Sequence, residues 1–291
     1  MRKITQGICM VGIAALALSL VGCTAMDGQR KRRATSSVVE YLFPNKAVKV
    51  VPSVPYLALP LKVGMAFVPE VASSPNSWRR NQGNRLNERE RMDLMDRVAA
   101  EFKALPFVDD IEIIPSAYLR AKGGFENLDQ IKTMHGIDVI VLLSYDQVQH
   151  TDDSVFSLTY LTVVGAMVVE GERNDTSTML DAAVFDIASR KMLFRAPGTS
   201  QVKARAAPLH LEEELRKDSF TGFGLAADQL IVSLKDQLTR FQAKVKERPE
   251  EYKVVHRKGY SGGTGGGALG AVYSLLLLAL GSFALWRNRK K

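Results

Sequence analysis

The chain has 291 residues, 39 Lys and Arg against 31 Asp and Glu, a formal net charge of +8, and only two cysteines. The excess charge belongs to the ends: Arg2 and Lys3 open the chain and four basic residues follow Trp286, whereas every acid lies between Asp27 and Glu251. A nearly balanced body offers no basic face for nucleic acid, so none is expected as a partner, and its length allows an apolar core that needs no disulfides.

The first element is an address. Arg2 and Lys3 precede an apolar stretch from Ile8 to Val21, which ends in "LVGC", Leu20 to Cys23. That stretch is short for a spanning helix and right for a signal-peptide core, of a plain secretory signal or of a more specialised one. With small Gly22 and Cys23 at its end, it resembles a bacterial lipoprotein signal with its lipobox. The resemblance implies that signal peptidase II cuts between Gly22 and Cys23 and that acyltransferases place diacylglycerol and an acyl chain on Cys23. No other cofactor and no metal is expected. Thr24, where an Asp would signal retention, resembles an outer-membrane destination. Cys9 lies in the discarded signal, so the mature chain can form no internal disulfide.

Residues 23–37 read as the lipidated cysteine and a flexible tether, in which "RKRR", Arg30 to Arg33, is a solvated run able to meet anionic headgroups. An extracytoplasmic domain is expected over 38–247. "SVVEYLFP" reads as a short helical piece and "VPSVPYLALP" as an extended approach to a buried strand, Leu61 to Pro69. After a polar loop, Asn87 with Glu90 resembles a capping box. The apolar recurrence of Met92, Met95, Val98, Phe102 and Leu105 then predicts an amphipathic helix ending at Pro106. "FVDDIEIIP" alternates as a strand, Ser116 to Arg120 is a short helical piece, and Asn127 to Met134 is a helix closed by His135 and Gly136.

"IDVIVLLSY", Ile137 to Tyr145, is a fully apolar strand expected at the centre of the sheet. "FSLTYLTVVGAMVVEG" fits strand by content and helix by length, and we read it as strand. "MLDAAVFDIASRKMLFRAPG" reads as a hairpin turning near Ala188 to Lys191, with Leu180, Ala182, Val184 and Asp186 on one face. A long helix from about Phe220 to Glu247 carries the stripe Phe223, Ala227, Leu230, Leu234, Leu238, Phe241 and Val245, which suits docking on the domain's own sheet or a partner helix. Together these predict an α/β (α+β) domain with a mixed sheet packed by amphipathic helices. Its order of elements weakly resembles the α/β periplasmic modules of outer-membrane lipoproteins that assist cell-wall synthases or build the curli secretion pore.

No catalytic constellation is evident, and no catalytic residue is assigned. The four histidines, His135, His150, His210 and His256, have no partner at ligand spacing and read as cap or surface residues. "HTDDS", His150 to Ser154, reads as a solvated turn before a metal site. Asp181 and Asp186, five apart on a strand, should point to opposite faces and cannot share acid and base work. Glu212, Glu213 and Glu214 read as a solvated helix face.

The end of the chain is a second address. Residues 248–267 read as a linker and Gly-rich region, with "GGTGGG" at Gly262 to Gly267. Residues 268–286 carry no charge and would rise about 28 Å as a helix, close to a hydrocarbon core of about 30 Å. "RNRKK", residues 287–291, is a positive-inside signal for a cytoplasmic tail. Glycines cannot hold a helix at the boundary, and an unwound stretch exposes carbonyls to a nucleophile. A flexible linker before a permanent anchor is the other reading.

This Gly-rich motif, span and basic end resemble the GlyGly-CTERM sorting tail. With the lipobox, and with "TVVGAMVVEGERNDTSTMLDAAVFDIASRKMLFRAPGTS" in the middle, the chain resembles the rhombotarget lipoprotein family. That resemblance implies cleavage near Gly262 and Gly263 by rhombosortase, a rhomboid-type intramembrane protease. The protein would enter the inner membrane first and reach the outer membrane or cell surface as a non-enzymatic binding module for another envelope component. The competing expectations are an exported hydrolase with an unrecognised site, and an inner-membrane protein that keeps both anchors.

Overall fold

The computed structural model describes residues 30–44, 53–70, 86–152, 172–206, 211–258 and 260. Gly22, Cys23, the stretch 156–171, His210, Gly262, Gly263 and the span 268–286 lie outside the described residues. The elements in chain order are β1 (Arg30–Thr35), α1 (Val38–Leu42), β2 (Tyr56–Leu59), β3 (Leu61–Phe67), α2 (Glu88–Ala100) and β4 (Val108–Ile113). A single 3-10 turn at Ser116–Tyr118 leads to α3 (Gly124–His135), β5 (Val139–Asp152), β6 (Glu172–Asp186), β7 (Lys191–Ala206), α4 (Leu211–Glu247) and β8 (Lys253–His256). The expected mixed sheet packed by helices is what forms.

Its path is β4-β3-β5-β6-β7, with β5 at the centre. β4, β3 and β5 run parallel, joined by the crossovers through α2 and α3, and β6 and β7 complete the sheet antiparallel. β5 is buried on both faces, as its continuous apolar run demands. Val141, Leu143 and Tyr145 enter the core under α2 and α4, whereas Ile140 and Leu142 enter the core under α1 and α3. The molecule is therefore three layers with the sheet in the middle.

The local signals explain the helices. Asn87 caps α2 through its side chain and Glu90 returns the bond to the Asn87 N–H, so both orphan donors of the first turn are satisfied. α2 stops at Ala100, earlier than the expected Pro106, and Phe102 and Leu105 continue the apolar face through turns instead. α3 closes at Gly136 in the left-handed conformation (φ 66°), and the Gly136 N–H donates to the Lys132 carbonyl. Along α4 the expected stripe docks on the sheet of its own chain, and the helix begins at Leu211, nine residues before the expected Phe220.

Four sequence expectations are corrected. The tether was expected to extend to residue 37, but Arg30–Thr35 forms β1 and pairs antiparallel with Asp146–Thr151 of β5. Two of its four charges are paired in place: Arg33 makes two bonds to Asp146 (2.9 and 2.7 Å) and Arg32 pairs with Glu212, while Ala34 is buried. Glu212 is thus not simply solvated. The linker expected from residue 248 contains β8, which pairs parallel with β2 because Tyr252 is buried against Phe241 and Arg257 binds Asp138. His150 to Asp152 are the end of β5, not a turn.

Candidate functional site

β5 is long enough to serve two regions, and α4 covers both. β3 pairs with β5 over Val139–Leu143 and β1 takes the same edge over Asp146–Thr151. The join is held by Ser36, whose N–H donates to the Tyr145 carbonyl (2.8 Å) and whose Oγ accepts from the Tyr145 N–H (3.0 Å). The 37 residues of α4 rise about 55 Å and so run past both regions.

Under the first half of α4 the contact is close and partly polar. A Cβ built on Gly198 of β7 would lie 2.2 Å from the Ala226 carbonyl oxygen and 2.6 Å from the Leu230 nitrogen. A Cβ on Gly222 would lie 2.6 Å from Thr178 Oγ1. Only glycine lets helix and sheet approach to that distance. Gln147 Nε2 donates to Thr178 Oγ1 (2.8 Å) and to the Ser219 carbonyl (3.1 Å), and Ser219 Oγ donates to Gln147 Oε1 (2.6 Å). Gln149 Nε2 reaches Thr176 Oγ1 (3.1 Å) and the Leu215 carbonyl (2.8 Å) in the same way. Further along, Gln149 Oε1, both polar side-chain atoms of Asn174 and Asp218 Oδ2 are buried without a hydrogen-bond partner among the described residues. Burial, and then the neighbouring Glu214, push the Asp218 carboxyl above the ordinary carboxylate range.

Under the second half of α4 the contact opens. Small Gly222, Ala226 and Ala227 give way to Leu234, Leu238, Phe241 and Val245, and these larger side chains roof a cavity of about 560 Å³. Its floor is the sheet: Val63 and Met65 of β3, Ile111 of β4, Val139 and Val141 of β5, and Val184 of β6. Phe102 to Val108 form one wall, and the β2–β8 pair forms the other through Leu57, Leu59 and Val254. The polar residues lining it are Gln242, Lys246, His256 and Tyr260, with His256 stacked on Tyr260 at 5.7 Å between ring centroids. A cavity of this size with a few polar groups among aliphatic and aromatic side chains has the character of a ligand pocket. Hydrocarbon suits its walls, and a buried peptide would leave its amides without partners there.

The residues singled out in the sequence do not converge. Asp181 pairs with Arg195 (2.6 Å), whereas Asp186 is buried at the hairpin, where its Oδ2 accepts from the Ser189 N–H (3.0 Å). His135 meets Glu112 (2.8 Å) at the end of α3, whereas His150 and His256 lie on β5 and β8. Among the described residues no three His, Cys, Asp or Glu come together as metal ligands. A partly buried cluster that the sequence did not announce joins Tyr145, whose hydroxyl donates to Glu70 (2.5 Å), and Arg91, which pairs with the same carboxylate (2.8 Å). Burial and the carboxylate hold the Tyr145 phenol well above its usual range, so it is a fixed donor and not a base. The cavity was missed too, although the change from small to large side chains along the α4 stripe was a readable sign of it.

Among the described residues no helix is long and apolar enough to cross a membrane. No protein-family model matches the chain, and no curated protein does. Among solved structures, a PelC dodecamer from Paraburkholderia phytofirmans and a substituted form of the same protein are similar to this chain. Each match covers 71% of this chain and 96% of the PelC chain at 10% identity, with TM-scores of 0.26 and 0.28.

Proposed function

We propose that this protein is an exported envelope lipoprotein, anchored through Cys23 and trimmed near Gly262 and Gly263, whose folded domain is a binding module for an apolar ligand or partner. The observation that carries the binding role is the cavity of about 560 Å³ between α4 and the sheet, walled by aliphatic and aromatic side chains. The two sequence addresses carry the export and the processing. They resemble a lipobox and a GlyGly-CTERM tail, so signal peptidase II, the acyltransferases and rhombosortase are its expected processing partners.

The geometry gives the two addresses a physical relation. Arg30, seven residues after Cys23, pairs with Thr151 at the far end of β5, whereas Tyr260 lines the cavity beside Val139 at its beginning. The strand from Val139 to Thr151 spans about 40 Å. A protein held by both anchors would be tied at opposite ends of its sheet. Removal of the tail would free the cavity end and leave only acyl chains in the membrane, the kind of attachment a carrier can extract.

The intact mass of the mature protein purified from its native membranes tests this reading. An acylated Cys23 at the front and an end near Gly262 or Gly263 is expected. A mass that retains Leu275 to Lys291 would replace it with the doubly anchored inner-membrane protein. An exported hydrolase would instead show turnover on peptide, ester or glycan substrates that one side-chain substitution abolishes.

A further inference from the structure

We infer that, in the full-length protein before its tail is removed, the cavity holds one acyl chain of an anionic lipid drawn from the adjoining membrane, with the lipid headgroup at Lys246. The inference deepens the binding role proposed above and rests on the reading of residues 268–286 as a membrane span. Three observations carry it. The body of the cavity is lined by apolar side chains, so an occupant that brings its own amides or hydroxyls inside would leave them without side-chain partners, and an alkyl chain would not. Among the lining residues Lys246 is the one with a permanent charge, and it has no ion-pair partner among the described residues. It therefore offers an anion a partner at the rim, beside the Gln242 amide and the stacked His256 and Tyr260.

The third observation is where the chain leaves the domain. Tyr260 lines the cavity, and Ala268, which begins the apolar run, follows eight residues later. Those eight residues extend no more than about 28 Å, so an inserted tail would keep the cavity rim near the bilayer surface.

Photolabelling of the full-length protein tests this. The protein is placed in vesicles of phosphatidylethanolamine and phosphatidylglycerol containing a trace of phosphatidylglycerol with a diazirine on one acyl chain. It is then irradiated and the labelled peptides are identified. Label is expected on Phe102–Val108 and Leu234–Val245, as well as on 268–286, which serves as an internal reference. Leu238→Trp should reduce the cavity label about tenfold, the equivalent of roughly two lost methylene contacts, and leave the reference unchanged. Val245→Trp provides the same test if the first variant has a lowered Tm. Lys246→Glu should remove the preference for phosphatidylglycerol over an equivalent phosphatidylcholine probe.

Label confined to 268–286, or cavity label unaffected by either Trp variant, would overturn the proposal. Equal labelling of the native protein by the phosphatidylcholine probe would overturn the role of Lys246. Displacement of the label by free oleate at far lower concentration than by phosphatidylglycerol would overturn the membrane lipid as the source. Label that enters the cavity only after residues 261–291 are removed would assign the space to the chain's own tail. Cavity label without label on 268–286 would uphold the cavity and break the reading of the span, so the two failures are separable.

Discussion

The two halves of α4 solve the same packing problem in opposite ways. Gly222, Ala226 and Ala227 let the first half lie against β6 and β7 so closely that Gly198 has no room for a Cβ, and glutamine, serine and threonine side chains share hydrogen bonds across the contact. Leu234, Leu238, Phe241 and Val245 in the second half stand over a void lined by apolar groups. One helix thus supplies both the rigid seam of the domain and the roof of its cavity. Close contact is where mutations should cost stability, and open contact is where they should change occupancy instead.

The strongest break of this contrast is Gly198→Val. Its Cβ would meet the backbone of Ala226 and Leu230, which cannot move aside as a flexible side chain can. A loss of about 3 kcal/mol or more is expected, at or above the upper end for overpacked cores. Urea unfolding followed by circular dichroism measures it, and a loss below about 1 kcal/mol would mean that the seam is looser than described. A paired comparison sharpens the contrast. Leu230→Ala removes a fully buried side chain from the close contact and should cost about 3 kcal/mol, whereas Leu238→Ala only enlarges a space already present and should cost about 1 kcal/mol. Equal costs would show that the second half packs as tightly as the first.

Much of the framework could be read from the residues because its causes are local. The Asn87–Glu90 capping box, the apolar run of β5, the Gly136 stop and the stripe on α4 each act within a few residues of where they are written. What escaped depends on distant partners. "RKRR" looks like a solvated tether until Asp146 and Glu212 are known to stand opposite it. "KVVH" looks like linker until β2 offers an edge to it. The polar continuation of β5, Asp146 to Asp152, gave no apolar signal because its buried glutamine amides donate to helix carbonyls and to threonine hydroxyls of β6 instead of packing on hydrocarbon. The cavity depends on the distance between α4 and the sheet, which only side chains on both elements can set.

The smallest effect expected is also the one that tests the seam's polar character. Asp218 is buried, its Oδ2 has no hydrogen-bond partner among the described residues, and burial followed by Glu214 raises the native carboxyl pKa above its ordinary value, with Lys217 opposing. In the unfolded chain the same carboxyl titrates near pH 3.9. Below that value both states hold the proton and the native protein loses nothing. As pH rises through the ordinary value toward the raised one, the unfolded state gives up its proton first and native stability falls. Asp218→Asn removes this titration. Its Tm relative to the native protein should therefore be nearly unchanged at acidic pH and should rise across the window between the two pKa values. The gain should then persist at neutral pH, smaller than either effect above. Thermal unfolding of both proteins from acid to neutral pH measures the difference. A gain of the same size at every pH would show that the asparagine acts through packing, and that Asp218 is solvated as well as any surface carboxylate.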